Sequence, residues 1–270
     1  MEVGSTGDGG LNFWDVVMFS LKLMLKRRGI LYFFIPFLVF SALTLLVLSD
    51  PESIQPSTLL IALISWMLSS YASMCVYAAS FMEFREKEWT ASDIMSRCMS
   101  RFLGFLAVLL LAGLIILSPL IIAVISGLFI HYIVGLIMAI PAIPLIAYLS
   151  IRFSVSEAAY VVEGKGVVEA IRRSLYLTKN KFWYVFLRLF AFGLLTGIIL
   201  IPSMLIPLYQ ADLPHSHPSS ILLSLLRDLV TCYYQTAMAC FSFLIFTSLV
   251  FMKIKPGVEG PFEPEGDIIH

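Results

Sequence analysis

Three groupings of side chains in this sequence have the types and spacing to do chemistry. His215-Ser216-His217, with Asp212 close by, offers two imidazoles and a carboxylate, donors that a divalent cation accepts. The set lacks a fourth ligand and the one-turn His-x-x-x-His spacing of a helical site, so neither a metal nor a cofactor is expected. Glu163, Arg172 and Arg173, followed by Lys179 and Lys181, gather cations around one acid, a composition suited to a phosphate-bearing headgroup or solute. Ser65, Ser69 and Ser73, with Gln235 and Thr236, supply hydroxyls and an amide inside apolar stretches. Small residues at steps of three and four first indicate close helix packing, and secondly a polar lining for a path through the protein.

Catalysis is harder to find. An enzyme or pump working within a membrane carries ionisable groups inside its spans. Here only Arg188, Arg227, Asp228 and His131 approach that position, all near the ends of apolar runs. No phosphate-binding glycine loop, zinc-protease helix, nucleophile elbow or dinucleotide fingerprint occurs. The expectation is a protein without enzymatic activity. Cys75, Cys98, Cys232 and Cys240 show no Cys-x-x-Cys spacing and read as reduced, buried thiols.

The elements that must position these groups follow from composition. Of the 270 residues 59% are hydrophobic and 13% charged, against roughly 25% charged in soluble domains. The 50 residues from Phe102 to Ile151 carry no Asp, Glu, Lys or Arg. As helix they would extend about 75 Å, more than twice a bilayer core of about 30 Å, so they must hold two spans, turning near Ser126-Gly127 and His131. Backbone groups cannot face lipid unpaired, and no ten-residue alternation of barrel strands is present. The reading is an all-α membrane bundle of six spans, at 30–48, 58–82, 103–125, 132–151, 183–207 and 229–252. One integral membrane domain covers 1–255. The tail at 256–270, rich in proline and acid, reads as disordered.

The net charge of zero conceals an asymmetry. Sixteen of the 18 basic residues fall in segments 1–29, 83–101, 152–181 and 253–270, and none in the alternate connections 49–57, 126–131 and 208–219. By the positive-inside rule both termini are cytoplasmic, in a multi-pass protein of the cell membrane. The start is not basic and no small-residue cleavage site follows the first apolar run, so a retained first helix is expected rather than a signal peptide.

The cytoplasmic segments repeat a local design. Asn12 precedes Asp15, Thr90 precedes Asp93 and Gly166 precedes Glu169 by three residues, the spacing of a helix-capping box. Five residues beyond each acid stands Ser20, Cys98 or Ser174, and basic residues follow. Each segment is amphipathic; in the third, Val168, Ile171 and Leu175 oppose Glu169, Arg172 and Arg173. This predicts three interfacial helices, each followed by a membrane hairpin, in a threefold repeat. The stretch from Ala158 is expected to run extended to Glu163-Gly164, where glycine is free to take positive φ.

That third segment also carries a resemblance. Glu163-Gly164, then Ala170-Ile171-Arg172-Arg173-Ser174 with Leu177-Thr178, then Phe182-Trp183, is similar to the signature of six-span families related to the membrane domain of glycerophosphoryl diester phosphodiesterases. About 35 residues match closely. The acid that such families carry after the sixth span is missing, the sequence reading Phe251-Met252-Lys253-Ile254-Lys255. The resemblance implies a stand-alone six-span membrane protein. It does not imply hydrolase activity, because the catalytic carboxylates and metal ligands of those enzymes belong to a separate soluble domain with no counterpart in this sequence.

The expected role is that of an organiser or accessory protein at the inner leaflet, working through membrane lipids, a membrane-protein partner or a second copy of the chain, with no nucleic acid involved. The alternative is a transporter or channel for a lipid or small solute, using proline-kinked spans and the polar faces at Ser65, Ser69, Ser73, Gln235 and Thr236.

Overall fold

The computed structural model describes residues 13, 14, 17, 18, 38, 56–85, 87–210 and 218–253. The expected first span (Leu38 apart), most of the first amphipathic stretch and the tail at 256–270 lie outside the described residues. Among the described residues the structure is helical, without strands. The helices are α1 (Pro56–Phe84), α2 (Ala91–Phe129), α3 (Tyr132–Phe153), α4 (Ser156–Glu163), α5 (Val167–Thr178), α6 (Phe182–Gln210) and α7 (Pro218–Lys253). Four stretches are long and apolar enough to cross a membrane: Leu60–Phe84, Ala91–Phe129, Tyr132–Glu163 and Leu226–Met252. Val167–Thr178 and Phe182–Ile198 pass the same criterion as a pair, bent by 97°.

The described residues fall into two compact units. The first contains those of Leu103–Leu187 and Ile245–His270. Its α2–α3 hairpin turns at Ile130-His131, as expected at His131 but beyond Ser126-Gly127, because those two residues serve the helix itself. Ser126 Oγ donates to the Ile122 carbonyl (2.8 Å), and Gly127 faces Gly135 across the hairpin. His131 then caps α3, its Nδ1 accepting the Ile133 N–H at 3.3 Å. The prolines of the kinked spans lie inside continuous helices: α2 runs through Pro119 and α3 through Pro141 and Pro144. Proline at 119 leaves the Ile115 carbonyl without its helical donor, and Ser118 Oγ takes that place at 2.8 Å. The hairpin opens onto a core away from its turn, where Ala112, Phe153 and Ile171 are buried against Leu111, Ile116, Leu149 and Leu175. Phe105 is fully buried beside the Tyr160 ring (6.3 Å between centroids), and a Cβ on Gly104 would run into the Tyr160 hydroxyl.

The second unit contains the described residues of Phe13–Phe102 and Arg188–Leu244. The Tyr71 hydroxyl on α1 donates to the Met95 carbonyl in the first turns of α2 (2.8 Å), and its ring meets Phe102 edge-on. Thr90 and Asp93 form the expected reciprocal cap: the Thr90 N–H donates to Asp93 Oδ2 (3.2 Å), and the Asp93 N–H to Thr90 Oγ1 (3.3 Å). This amphipathic segment is no separate helix. It continues without a break into α2. On α7, Phe241 stacks on Phe192 (4.1 Å) and Phe243 meets Phe84.

Exposure divides the helices sharply. Leu103, Leu110, Leu114, Leu136, Ile140 and Ile143 on the hairpin are exposed, a large apolar surface suited to hydrocarbon and not to water. In α7 all ten residues of 241–250 are buried, so that stretch is packed on every side.

The hairpin rests on the approach of two glycines. A Cβ on Gly135 would lie 2.6 Å from the Gly127 Cα and 2.9 Å from the Ala123 carbonyl oxygen, so any side chain forces the helices apart. Gly135→Val is expected to destabilise the protein by roughly 1–3 kcal/mol. Gly113→Ala, with open space around it, should leave stability unchanged or raise it. Thermal unfolding in detergent reads both; equal midpoints for Gly135→Val and wild type would refute the close contact.

Candidate functional site

The cationic segment lies in the first unit, where α3, α4, α5 and the start of α6 follow one another through short turns. The geometry begins with a backbone problem. The last carbonyls of α3 run out of i+4 donors, Ile151 keeping only the Ser154 N–H at 3.4 Å. Three hydroxyls satisfy three successive carbonyls: Ser154 Oγ donates to Ile151 (2.8 Å), Ser174 Oγ to Arg152 (2.7 Å) and Ser156 Oγ to Phe153 (2.7 Å). Ser174 belongs to α5, 22 residues further along, and is fully buried. Thr178, also buried, donates back to the Ser174 carbonyl (2.8 Å). This hydroxyl seam fixes α5 across the end of α3.

The approach to Glu163-Gly164 is helical, not extended. Ser156–Glu163 forms α4, whose buried face of Ala158, Ala159 and Tyr160 draws it against the core. The expected positive φ is present: Gly164 ends α4 in the left-handed conformation, with φ 67°. At the start of α5 the Gly166 N–H donates to Glu169 Oε2 (3.4 Å). Glycine has no side chain to return that bond, so only one half of the capping box forms.

Glu163 is the electrostatic centre. Its side chain is 12% exposed and meets Arg173 through Nε (2.9 Å) and Nη2 (2.8 Å), and Lys165 through Nζ (2.9 Å). The Arg173 guanidinium also lies 5.9 Å from the Tyr176 ring centre. The two arginines therefore separate. Arg173 is committed to holding α4 and α5 together, whereas Arg172 is exposed. Lys179 is exposed at the end of α5 and Lys181 is half-buried. The buried face of α5 is Ala170, Ile171, Ser174, Leu177 and Thr178. Val168, read on one apolar face with Ile171 and Leu175, is 53% exposed and shares the outer face with Glu169, Arg172 and Tyr176. Asn180, at φ 65°, turns the chain into α6, and Trp183 stands exposed just inside it.

The second candidate set lies in the other unit. Ser69 and Gln235 come together, Ser69 Oγ donating to Gln235 Oε1 at 3.2 Å. Ser65, Ser69 and Ser73 are half-buried on α1, and Gln235 is exposed on α7. Thr236 is buried and turned inward on its own helix, donating to the Cys232 carbonyl (3.2 Å). His215, His217 and Asp212 lie outside the described residues. Arg227 pairs with the neighbouring Asp228 (3.3 Å). Sequence reasoning missed Ser154 and Ser156, whose only signal was a pair of hydroxyls bracketing the break between α3 and α4, and it quoted Thr178 only as part of a motif, without this role.

Removing the Ser174 hydroxyl takes the nearer donor from the Arg152 carbonyl and leaves it Thr178 Oγ1 at 3.4 Å. Ser174→Ala is expected to lower unfolding stability by roughly 0.5–1.5 kcal/mol, the effect of losing one hydrogen bond between α5 and α3. A denaturation midpoint in detergent matching the wild type would show that the seam does not hold α5.

No family model, curated protein or solved structure matches this chain.

Proposed function

We propose that this chain is a six-span protein of the cell membrane with both termini cytoplasmic, acting without catalysis as an organiser or accessory at the inner leaflet. In this reading it stands with the stand-alone relatives of the phosphodiesterase membrane domain, built from three units of interfacial helix and hairpin. Two of the three capping sites support the repeat, since Asp93 and Glu169 each accept a bond from the backbone N–H three residues earlier.

One observation carries the functional reading. α5 meets α6 at 97°, so a spanning α6 lays α5 in the plane of the interface. Its outer face then presents Arg172, with Lys179 beyond it, at headgroup level, while Val168, Tyr176 and Trp183 supply apolar and aromatic contact. Arg173 is excluded from that face by its pairing with Glu163. The ligand is the anionic headgroup of an inner-leaflet phospholipid.

The two arginines are thereby separable. Arg172→Ala is expected to reduce retention of phosphatidylglycerol over phosphatidylcholine by about fivefold, one cation near an anionic surface being worth about 1 kcal/mol. Arg173→Ala should instead lower thermal stability and leave selectivity largely intact. Lipid competition read by native mass spectrometry checks both, and undiminished selectivity in Arg172→Ala would count against the headgroup role.

A further inference from the structure

Gln235 occupies a position that the membrane makes demanding. It is eight residues past Arg227, about 12 Å along the helix, inside the stretch from Leu229 to Met252 that carries no charge. Its side chain is exposed. One bond is made, from Ser69 Oγ to Oε1. The carboxamide has two N–H donors besides, and among the described residues no acceptor meets them. Hydrocarbon supplies none either, and an unsatisfied amide there costs more than in water.

The surroundings are those of an outer surface. The two helices joined by this bond expose Leu63 and Ile64 on α1, and Leu226 and Leu229 on α7. Ala62 and Ser69, seven residues apart, share one face of α1, and Ala62 is exposed. Small side chains there permit another helix to approach closely.

We infer that this face binds a second copy of the chain, with Gln235 hydrogen-bonded to Gln235 of the partner subunit across a twofold axis. A carboxamide is self-complementary, each copy offering the donor that the other accepts. Twofold symmetry makes the bond twice. Lipid tails offer no acceptor, and this part of the surface has no charge to recruit an ionic partner. The inference stands independently of the headgroup reading, because it uses other residues in the other unit.

The test uses the full chain, labelled with donor or acceptor fluorophores and reconstituted in phosphatidylcholine vesicles over a range of protein-to-lipid ratios. Energy transfer should report a dimer. Gln235→Leu should raise its dissociation mole fraction about tenfold, as two symmetric hydrogen bonds are lost, while Gln235→Asn largely retains it. Ala62→Leu, which leaves the amide in place but blocks close approach, should loosen the dimer as well. Circular dichroism confirms that the variants keep their helix. The proposal is overturned if transfer is absent at every ratio, or if Gln235→Leu and Ala62→Leu leave it unchanged. It also fails if a photo-crosslinker at Leu229 captures segment 30–48 of its own chain or a different protein.

Discussion

A chain that turns within or beside hydrocarbon must satisfy its own backbone, because no water is at hand to do so. Much of the described architecture follows from that constraint. α3 ends at Phe153 and its last carbonyls are taken up by Ser154, Ser174 and Ser156. At its other end His131 accepts the Ile133 N–H. Where Pro119 removes a helical donor, Ser118 replaces it and α2 runs on. Each hydroxyl sits where a break in the helical ladder creates the demand. Ser174 differs in reaching across 22 residues, so the same bond that completes α3 also anchors α5.

Charge is arranged under a related rule. A carboxylate that is mostly withdrawn from solvent requires partners, and Glu163 has two, Arg173 and Lys165. Pairing with Arg173 ties α4 to α5 and removes that guanidinium from the outer face. Arg172, one residue earlier, points elsewhere on the helix and is left exposed. Adjacent residues of identical chemistry thus have different roles, one structural and one available to a ligand. The interfacial function proposed for α5 rests on that separation and on the 97° turn into α6.

The helices also differ in what covers them. The α2–α3 hairpin turns leucine and isoleucine outward along its length, whereas residues 241–250 of α7 are buried throughout. Apolar side chains meet both environments equally well, so composition does not distinguish them. Polar groups do. Ser80 and Cys240 face each other in a buried contact at 3.6 Å, and Tyr184 bonds Ser248 at 2.6 Å, both satisfied inside the protein. Gln235 is exposed, and that contrast is what supports the partner proposed for its surface.

Hydropathy and charge are sums along the chain, and what depends on such sums was legible from residue order alone. The apolar runs located α1, α3, α6 and α7 to within a few residues at most of their ends, and the spacing of Thr90 and Asp93 located the start of α2. The positive φ at Gly164 was legible too, because only glycine takes it without strain. The structure departs from that reading at several points. α7 begins at Pro218, earlier than its apolar run, α4 is helical where an extended strand was expected, and Val168 faces outward. The helicity of α4 was decided by packing, since its face of Ala158, Ala159 and Tyr160 found the core. Whether Glu163 meets Arg172 or Arg173, and whether Ser69 meets Gln235, depends on the register of segments ten to 166 residues apart. Local periodicity carries no information at that range. Only packing in three dimensions selects among partners that the chain presents as equivalent.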